Sequence, residues 1–173
     1  MDFARSTCRR LHEEHEAVFE LLRRLQRALV DSHADAAPDF FDPASSALLR
    51  DVRSGLEFEV ARHFDFEEHS LFPLLAEAGD GDLVELLNAD HKVIRDVTAP
   101  LLELVGKGQT RKLDASGWHS LKRLGLELCD RLTEHALKEE QALLPALESL
   151  LSEDEDRELF AAYAGGESMA GRP

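Results

Sequence analysis

Leucines and valines recur along this chain at spacings of three and four, and β-branched runs are few, which is the pattern of amphipathic helices rather than strands. Leu11, Val18, Leu22, Leu25 and Leu29 line one face of a first helix over roughly 3–31. The stretch SHADAAPDFFDP (32–43) interrupts the pattern as a loop. Asp42 then offers a cap, with Pro43 at the first helical position, for a second helix that follows Leu49, Val52, Leu56 and Val60 to about Ala78. Pro73 is expected to end or kink this helix about a turn early, because proline lacks an N–H and clashes with the carbonyl four residues back. AGDGD (78–82) reads as a tight turn, with Asp82 as the next cap. The third helix covers about 83–105, with Pro100 inside it, and stops at the GKG of 106–108. Asp114 caps a fourth helix that contains Pro145 and reaches about Leu151. Ser152 and Glu155 fit a capping box for a short fifth helix, and the glycine-rich residues 165–173 read as a disordered tail. Four long helices with short connections in one domain over 1–164 predict an all-α, up-down-up-down four-helix bundle with a short C-terminal fifth helix.

The ends of the second and fourth helices repeat one another. HFDFEEHSLFPLL begins at His63 and HALKEEQALLPAL begins at His135, and both read H-x3-E-E-x2-L-x-P-x-L. Each copy is preceded by a helix that carries a histidine, His15 in the first and His91 in the third, so the chain reads as two helical hairpins related by a pseudo-twofold axis. His63 and Glu67, like His135 and Glu139, are four apart, on one helical face and about 6 Å from each other along the axis. That face is the apolar one. Leu121, Leu124, Leu128 and Leu132 lead into His135 and Glu139, with Ala142 and Ala146 beyond. Leu74 is expected to follow Glu67, and His91 sits between Leu87 and Ile94.

A single histidine on such a seam is most often a satisfied core residue. Two buried carboxylates without Lys or Arg on their own seams cost several kcal/mol. A dinuclear metal site satisfies His15, His63, Glu67, His91, His135 and Glu139 together, and imidazole with carboxylate suits iron, manganese or zinc. His12, one turn before His15, is a candidate for an additional ligand or for a base behind the ligands. His69 is a weaker candidate, turned off the face of Glu67 and replaced by Gln141 in the second copy. Glu68 and Glu140 point about 100° away from the ligand face and are expected in solvated or interhelical positions, with bonds to ligand imidazoles as the alternative. His33, in the loop, and His119, beside Trp118, read as structural.

Composition narrows the partners. The 173 residues suffice for one domain with a core, and 43% hydrophobic with 32% charged residues is a globular balance. A formal net charge of −15 repels phosphate backbones and anionic lipid, so neither nucleic acid nor a membrane is an expected partner. No apolar run approaches the roughly 20 residues of a membrane span, and no signal-type segment opens the chain, so the cytoplasm is the expected location. Cys8 and Cys129 have no metal or redox spacing and are expected as free, at least half-buried thiols.

The repeated element and its two histidine-bearing partners resemble the hemerythrin-like family, in its HHE cation-binding branch. The resemblance covers about residues 8–150. It implies two Fe ions in a non-haem, oxo- or hydroxo-bridged di-iron centre, with His15, His63, His91 and His135 as terminal ligands and Glu67 and Glu139 as bridges. Ferritin-like bundles use Glu-x-x-His instead, an order and spacing absent here. The chain also departs from oxygen-carrying hemerythrins. Arg95 stands where their third helix has a further histidine, and Glu139 stands where they have an aspartate. One ligand fewer leaves one coordination position more for exogenous molecules, which implies a more reactive site than a dedicated carrier has.

Three functions compete at this stage. The first is a di-iron protein that binds or senses a small oxidant: O2, NO or peroxide. The second is enzyme-like, namely repair of or iron donation to damaged iron centres, or turnover of peroxide or NO. Family members of the repair class carry an extra N-terminal cysteine-containing domain, absent from this sequence, so binding is favoured over enzymatic turnover. The third is a metal-stabilised structural bundle. A separate protein partner would be needed for signalling, and the oligomeric state is open.

Overall fold

The computed structural model describes residues 3–32, 39–110 and 112–165, and the loop around His33 and the C-terminal tail lie outside the described residues. Helix α1 spans Ser6–Asp31, α2 spans 43–78, α3 spans Gly81–Thr110, α4 spans 115–150 and α5 spans Glu153–Gly165. The first four run alternately up and down. The end of α1 meets the start of α4, where a Cβ on Gly125 would fall 2.6 Å from Leu29 Cδ1. The end of α3 meets the start of α2 in the same way, at Gly108 and Leu49. Each of the four therefore packs against two antiparallel neighbours, and α5 lies against the beginning of α1.

Caps fix most boundaries. Asp42 accepts the Ser45 N–H at 2.9 Å and Asp114 accepts the Gly117 N–H at 2.7 Å. Ser152 and Glu155 form the reciprocal box, with Glu155 Oε2 accepting the Ser152 N–H at 2.8 Å. Gly79 closes α2 at φ 105°, a left-handed conformation that glycine adopts without a Cβ penalty. Three boundaries differ from the sequence pattern. Helix α1 starts at Ser6 rather than near residue 3, and its free N–H groups are capped from outside: Asp156 of α5 accepts from Ser6 and Thr7 at 2.8 and 2.9 Å. Helix α3 begins at Gly81, with the Asp80 carbonyl accepting the Val84 N–H, so Asp82 lies in the first turn and is not the cap. At its other end α3 runs through the GKG to Thr110, and Gly108 is buried there beside Phe40 and Leu49.

Pro73 does not end α2. Just before it, the turn Glu67–Leu71 widens to π-helical hydrogen bonding, in which the Phe72 N–H donates to the Glu67 carbonyl. The repeat does the same at Glu139–Leu143 before Pro145, where Leu144 donates to Glu139. A wide turn takes up one extra residue and accommodates the prolines' missing donors. It also shifts the register of everything that follows. Leu75 is buried where Leu74 was expected, and Leu143 and Leu147 take the places expected for Ala142 and Ala146. A third wide turn, Glu59–His63, has no equivalent in the second copy and turns Glu59 inward, leaving Val60 partly buried.

The core is divided. One apolar cluster runs from Val18 and Leu132 towards Leu29 and Trp118. Another runs from Leu11 and Leu87 to Leu144, Leu151 and Tyr163. Between them lies a buried polar layer built from all four long helices.

Candidate metal centre

His15, His63, Glu67, His91, His135 and Glu139 make up that layer, and none is more than 1% exposed. Helical spacing brings the pairs within one helix together: His63 Nε2 lies 3.2 Å from Glu67 Oε1, and His135 Nε2 lies 2.9 Å from Glu139 Oε1. Bundle packing adds the others. His15 Nε2 is 3.1 Å from Glu139 Oε2, and His91 Nε2 is 3.3 Å from Glu67 Oε2. Ligand atoms of His15, His63, Glu67 and Glu139 all lie within 4.8 Å of one another, as do those of Glu67, His91, His135 and Glu139. Both carboxylates belong to both groups.

These groups fit a pair of cations. Both oxygens of Glu67, both of Glu139 and the Nε2 atoms of His15 and His63 are buried without a hydrogen-bond partner among the described residues. Buried carboxylate oxygens in that state are strongly destabilising unless a cation lies among them. Divalent ions held by the imidazoles and the shared carboxylates would satisfy every one of these atoms. The thiols do not compete, because burial pushes the Cys8 thiol up to about 12 and Cys129 up to about 11.

Without metal the layer balances proton against carboxylate. Burial disfavours the charged form of His15, but the Glu139 and Glu140 carboxylates beside its two ring nitrogens outweigh it and raise its pKa to about 9. His91 rises to about 9 in the same way, with burial again opposed by Glu139 and Glu67. Burial opposes the charge on Glu139 too, but His135, His15 and His91 hold its carboxyl well below the usual range.

Behind each ligand histidine stands a carboxylate on another helix. Glu140 Oε1 lies 2.7 Å from His15 Nδ1, Glu68 Oε1 lies 2.6 Å from His91 Nδ1, and Glu14 Oε2 lies 2.9 Å from His63 Nδ1. Asp90 Oδ2 is 3.5 Å from His135 Nδ1. A proton held on Nδ1 leaves the Nε2 lone pair for a metal. Glu68 and Glu140 therefore take interhelical positions against imidazoles. Each points away from its own ligand face and onto the ligand histidine of a neighbouring helix. Three of these carboxylates are themselves paired with a basic side chain: Arg95 donates to Glu68 at 2.6 Å, Lys138 donates to Asp90 at 2.6 Å, and Arg10 forms an ion pair with Glu14 at 2.8 Å.

His12 joins neither ligand group, and its Nδ1 lies 2.9 Å from Glu140 Oε2. It stands beyond Glu140, which separates it from the layer. His69 is 47% exposed and bonded to Asp65 on its own helix, away from the layer. His119 is exposed.

The hemerythrin HHE cation binding domain matches residues 6–109 and again, in an overlapping segment, residues 82–164. The chain belongs to the hemerythrin HHE family. Each match contains a histidine-bearing helix followed by, or preceding, one copy of the repeated His-x3-Glu element, and α3 falls in both. The chain is also similar to "Iron-sulfur cluster repair protein DnrN" of Neisseria gonorrhoeae, with 29% identity over 129 residues, covering 73% of this chain and 77% of that protein. No helix among the described residues is long and apolar enough to cross a membrane.

Four residues of this HHE domain escaped the sequence pattern. Glu14 and Asp90 immediately precede ligand histidines, a parallel that the repeat contains but that adjacency to HE and DH pairs on an acidic helix obscures. Tyr163 lies on α5, outside the repeat, and its hydroxyl donates to Glu14 Oε2 at 2.6 Å. Glu59 is 2% exposed, and burial raises its pKa. With Glu14, Val18, Leu21 and Phe58 it lines a cavity of about 120 Å³ between α1 and α2. The larger groove, about 520 Å³ along Phe19, Leu22, Cys129 and Leu137, touches none of the six candidate ligands.

Proposed function

We propose that this chain is a non-haem di-iron protein whose centre binds a small oxidant, O2, NO or peroxide. His15, His63, His91 and His135 are its terminal ligands and Glu67 and Glu139 its bridges. The observation that carries the reading is that each carboxylate belongs to both four-residue groups, which is what bridging two ions requires. Iron bound there supplies one-electron chemistry and Lewis acidity towards the exogenous molecule. The protein's own part is to orient and to exclude water. Phe64 stacks on His91 with ring centroids 3.7 Å apart, and Phe72 flanks the same ring at 5.5 Å. The carboxylates behind the imidazoles fix their tautomers and ring angles. The unit that does this is one domain over 1–164, and both thiols are free and buried, in keeping with a reducing cytoplasm.

A second reading is favoured by one observation, the similarity to a protein named for iron–sulfur cluster repair. In that reading the same centre donates iron to, or repairs, a damaged cluster on a partner protein. Anaerobic loading with Fe(II), metal analysis and absorption spectroscopy on exposure to O2 and then NO test the proposal. About two irons per chain and reversible spectral change support oxidant binding, whereas iron loss to an apo-ferredoxin acceptor supports repair. A chain that takes up no iron, or whose His135→Ala variant loads as well as the wild type, refutes both.

A further inference from the structure

The braces behind the ligands follow the repeat, with one exception. Glu14 precedes the ligand histidine of α1 and meets His63 of α2; Asp90 precedes the ligand histidine of α3 and meets His135 of α4. Glu140 and Glu68 are related in the same way. The exception is Tyr163, which comes from α5, a helix outside both hairpins. On the Asp90 side, Lys138 is a partner, the gap to His135 Nδ1 is 3.5 Å, and that nitrogen has no hydrogen bond among the described residues. On the Glu14 side, Oε2 receives both the Tyr163 hydroxyl at 2.6 Å and His63 Nδ1 at 2.9 Å, while Oε1 has an ion-pair contact with Arg10 Nε at 2.8 Å and no hydrogen bond among the described residues.

Tyr163 is well placed to hold this arrangement still. It is 5% exposed and stacks on Phe66 with centroids 4.2 Å apart. Its carbonyl accepts from Arg62 Nη2 at 2.5 Å. The start of α5 is tied to α1 through Asp156. A glutamate side chain has three rotatable bonds, and one held at both oxygens presents a fixed acceptor to the imidazole beyond it.

We propose that Tyr163 is a positioning residue for the metal position bounded by His15 and His63, acting through Glu14, and that the two metal positions are unequal as a result. The His15/His63 position is the more firmly prepared, and α5 completes it. This rests on the di-iron reading for its metal arm. Tyr163→Phe removes only the hydroxyl and retains the Phe66 stack. In an anaerobic Fe(II) titration of the full chain, one of two equivalents weakens about 10–100-fold and the other is unchanged. Glu14→Ala removes the brace from its other end and weakens the same equivalent. In ¹⁵N-labelled metal-free protein, the His63 Nδ1–H resonance is protected in the wild type and broadens or vanishes in Tyr163→Phe, while the His91 resonance stays. A purely structural role would lower the melting temperature and leave both signatures in place. Two equivalents that bind as in the wild type, or that weaken equally, overturn the proposal. A wild type that binds no metal refutes the di-iron reading instead, and the metal-free resonance of His63 then decides the brace by itself.

Discussion

Glu139 donates a ligand atom to both groups, so Glu139→Gln tests the shared site more sharply than loss of any one histidine. The amide keeps the shape of the side chain and removes the charge that faces His135 Nε2 at 2.9 Å and His15 Nε2 at 3.1 Å. A ligand that binds only the folded state stabilises it by about 2.7 kcal/mol at a hundredfold excess over its Kd, so two ions contribute about 5 kcal/mol. For a chain of this size, about 2–4 °C accompany each kcal/mol, and the wild type should gain roughly 10–20 °C on anaerobic loading with Fe(II). The variant should gain less than about 5 °C, because neither position keeps an anionic bridge from α4. Glu134→Gln, at an exposed position of the same helix, is the control and should keep the full gain. Differential scanning calorimetry with and without metal, paired with iron analysis of the same samples, measures both quantities. A Glu139→Gln protein that holds two irons and keeps the wild-type gain would refute the reasoning, because the carboxylate would then not be shared between the ions.

Removing a brace should cost less than removing a ligand: Glu68→Gln and Glu140→Gln should each weaken iron binding about 10–100-fold without abolishing it, as read by competition with a chelator. The pH dependence has a definite sign. His15 and His91 rise to about 9 without metal, so their contribution to metal-free stability is full below about 6.5 and is lost as pH climbs through about 9. Metal displaces those protons, so apparent iron affinity should increase across the same window, and calorimetry in buffers of different ionisation enthalpy should show proton release. Asp156→Ala removes the cap on Ser6 and Thr7 and should destabilise the chain by about 1–2 kcal/mol, seen in urea melts as a lower midpoint at unchanged slope.

The six ligand candidates were legible because they combine helical spacing with an internal repeat. A polar residue on an apolar seam is conspicuous, and its recurrence in the second hairpin separates His63 and Glu67 from His69. Their bracing was not legible in the same way. Glu68 and Glu140 point off the ligand face of their own helix, and only the packing of α2 against α3 and of α4 against α1 shows what they point at. Tyr163 reaches the centre from a helix that the repeat does not include. The register beyond Glu67 and Glu139 was missed for a local reason: a 3.6-residue period cannot count the extra residue in a wide turn, so Leu74, Ala142 and Ala146 stand one position away from the buried Leu75, Leu143 and Leu147. The GKG of 106–108 signals a helix end in sequence, yet α3 continues through it, with Gly108 buried beside Phe40 and Leu49.

The two wide turns that begin on Glu67 and Glu139 have a consequence for how this chain can change length. Each is a one-residue gear between the segment that carries the ligands and the segment that closes the bundle beneath them. Deleting a single residue inside 67–71, such as the exposed His69, would return that stretch to the ordinary helical period and leave the rest of α2 near its present rotation, because the wide turn holds one residue more than a regular turn. Leu75 would stay in the lower core, whereas a one-residue deletion in a regular turn of α2 would rotate everything beyond it by about 100°. Most helices tolerate surface substitutions and reject deletions throughout. Here tolerance of a one-residue deletion is concentrated in two five-residue windows, and the reading frame of the lower core is set within them.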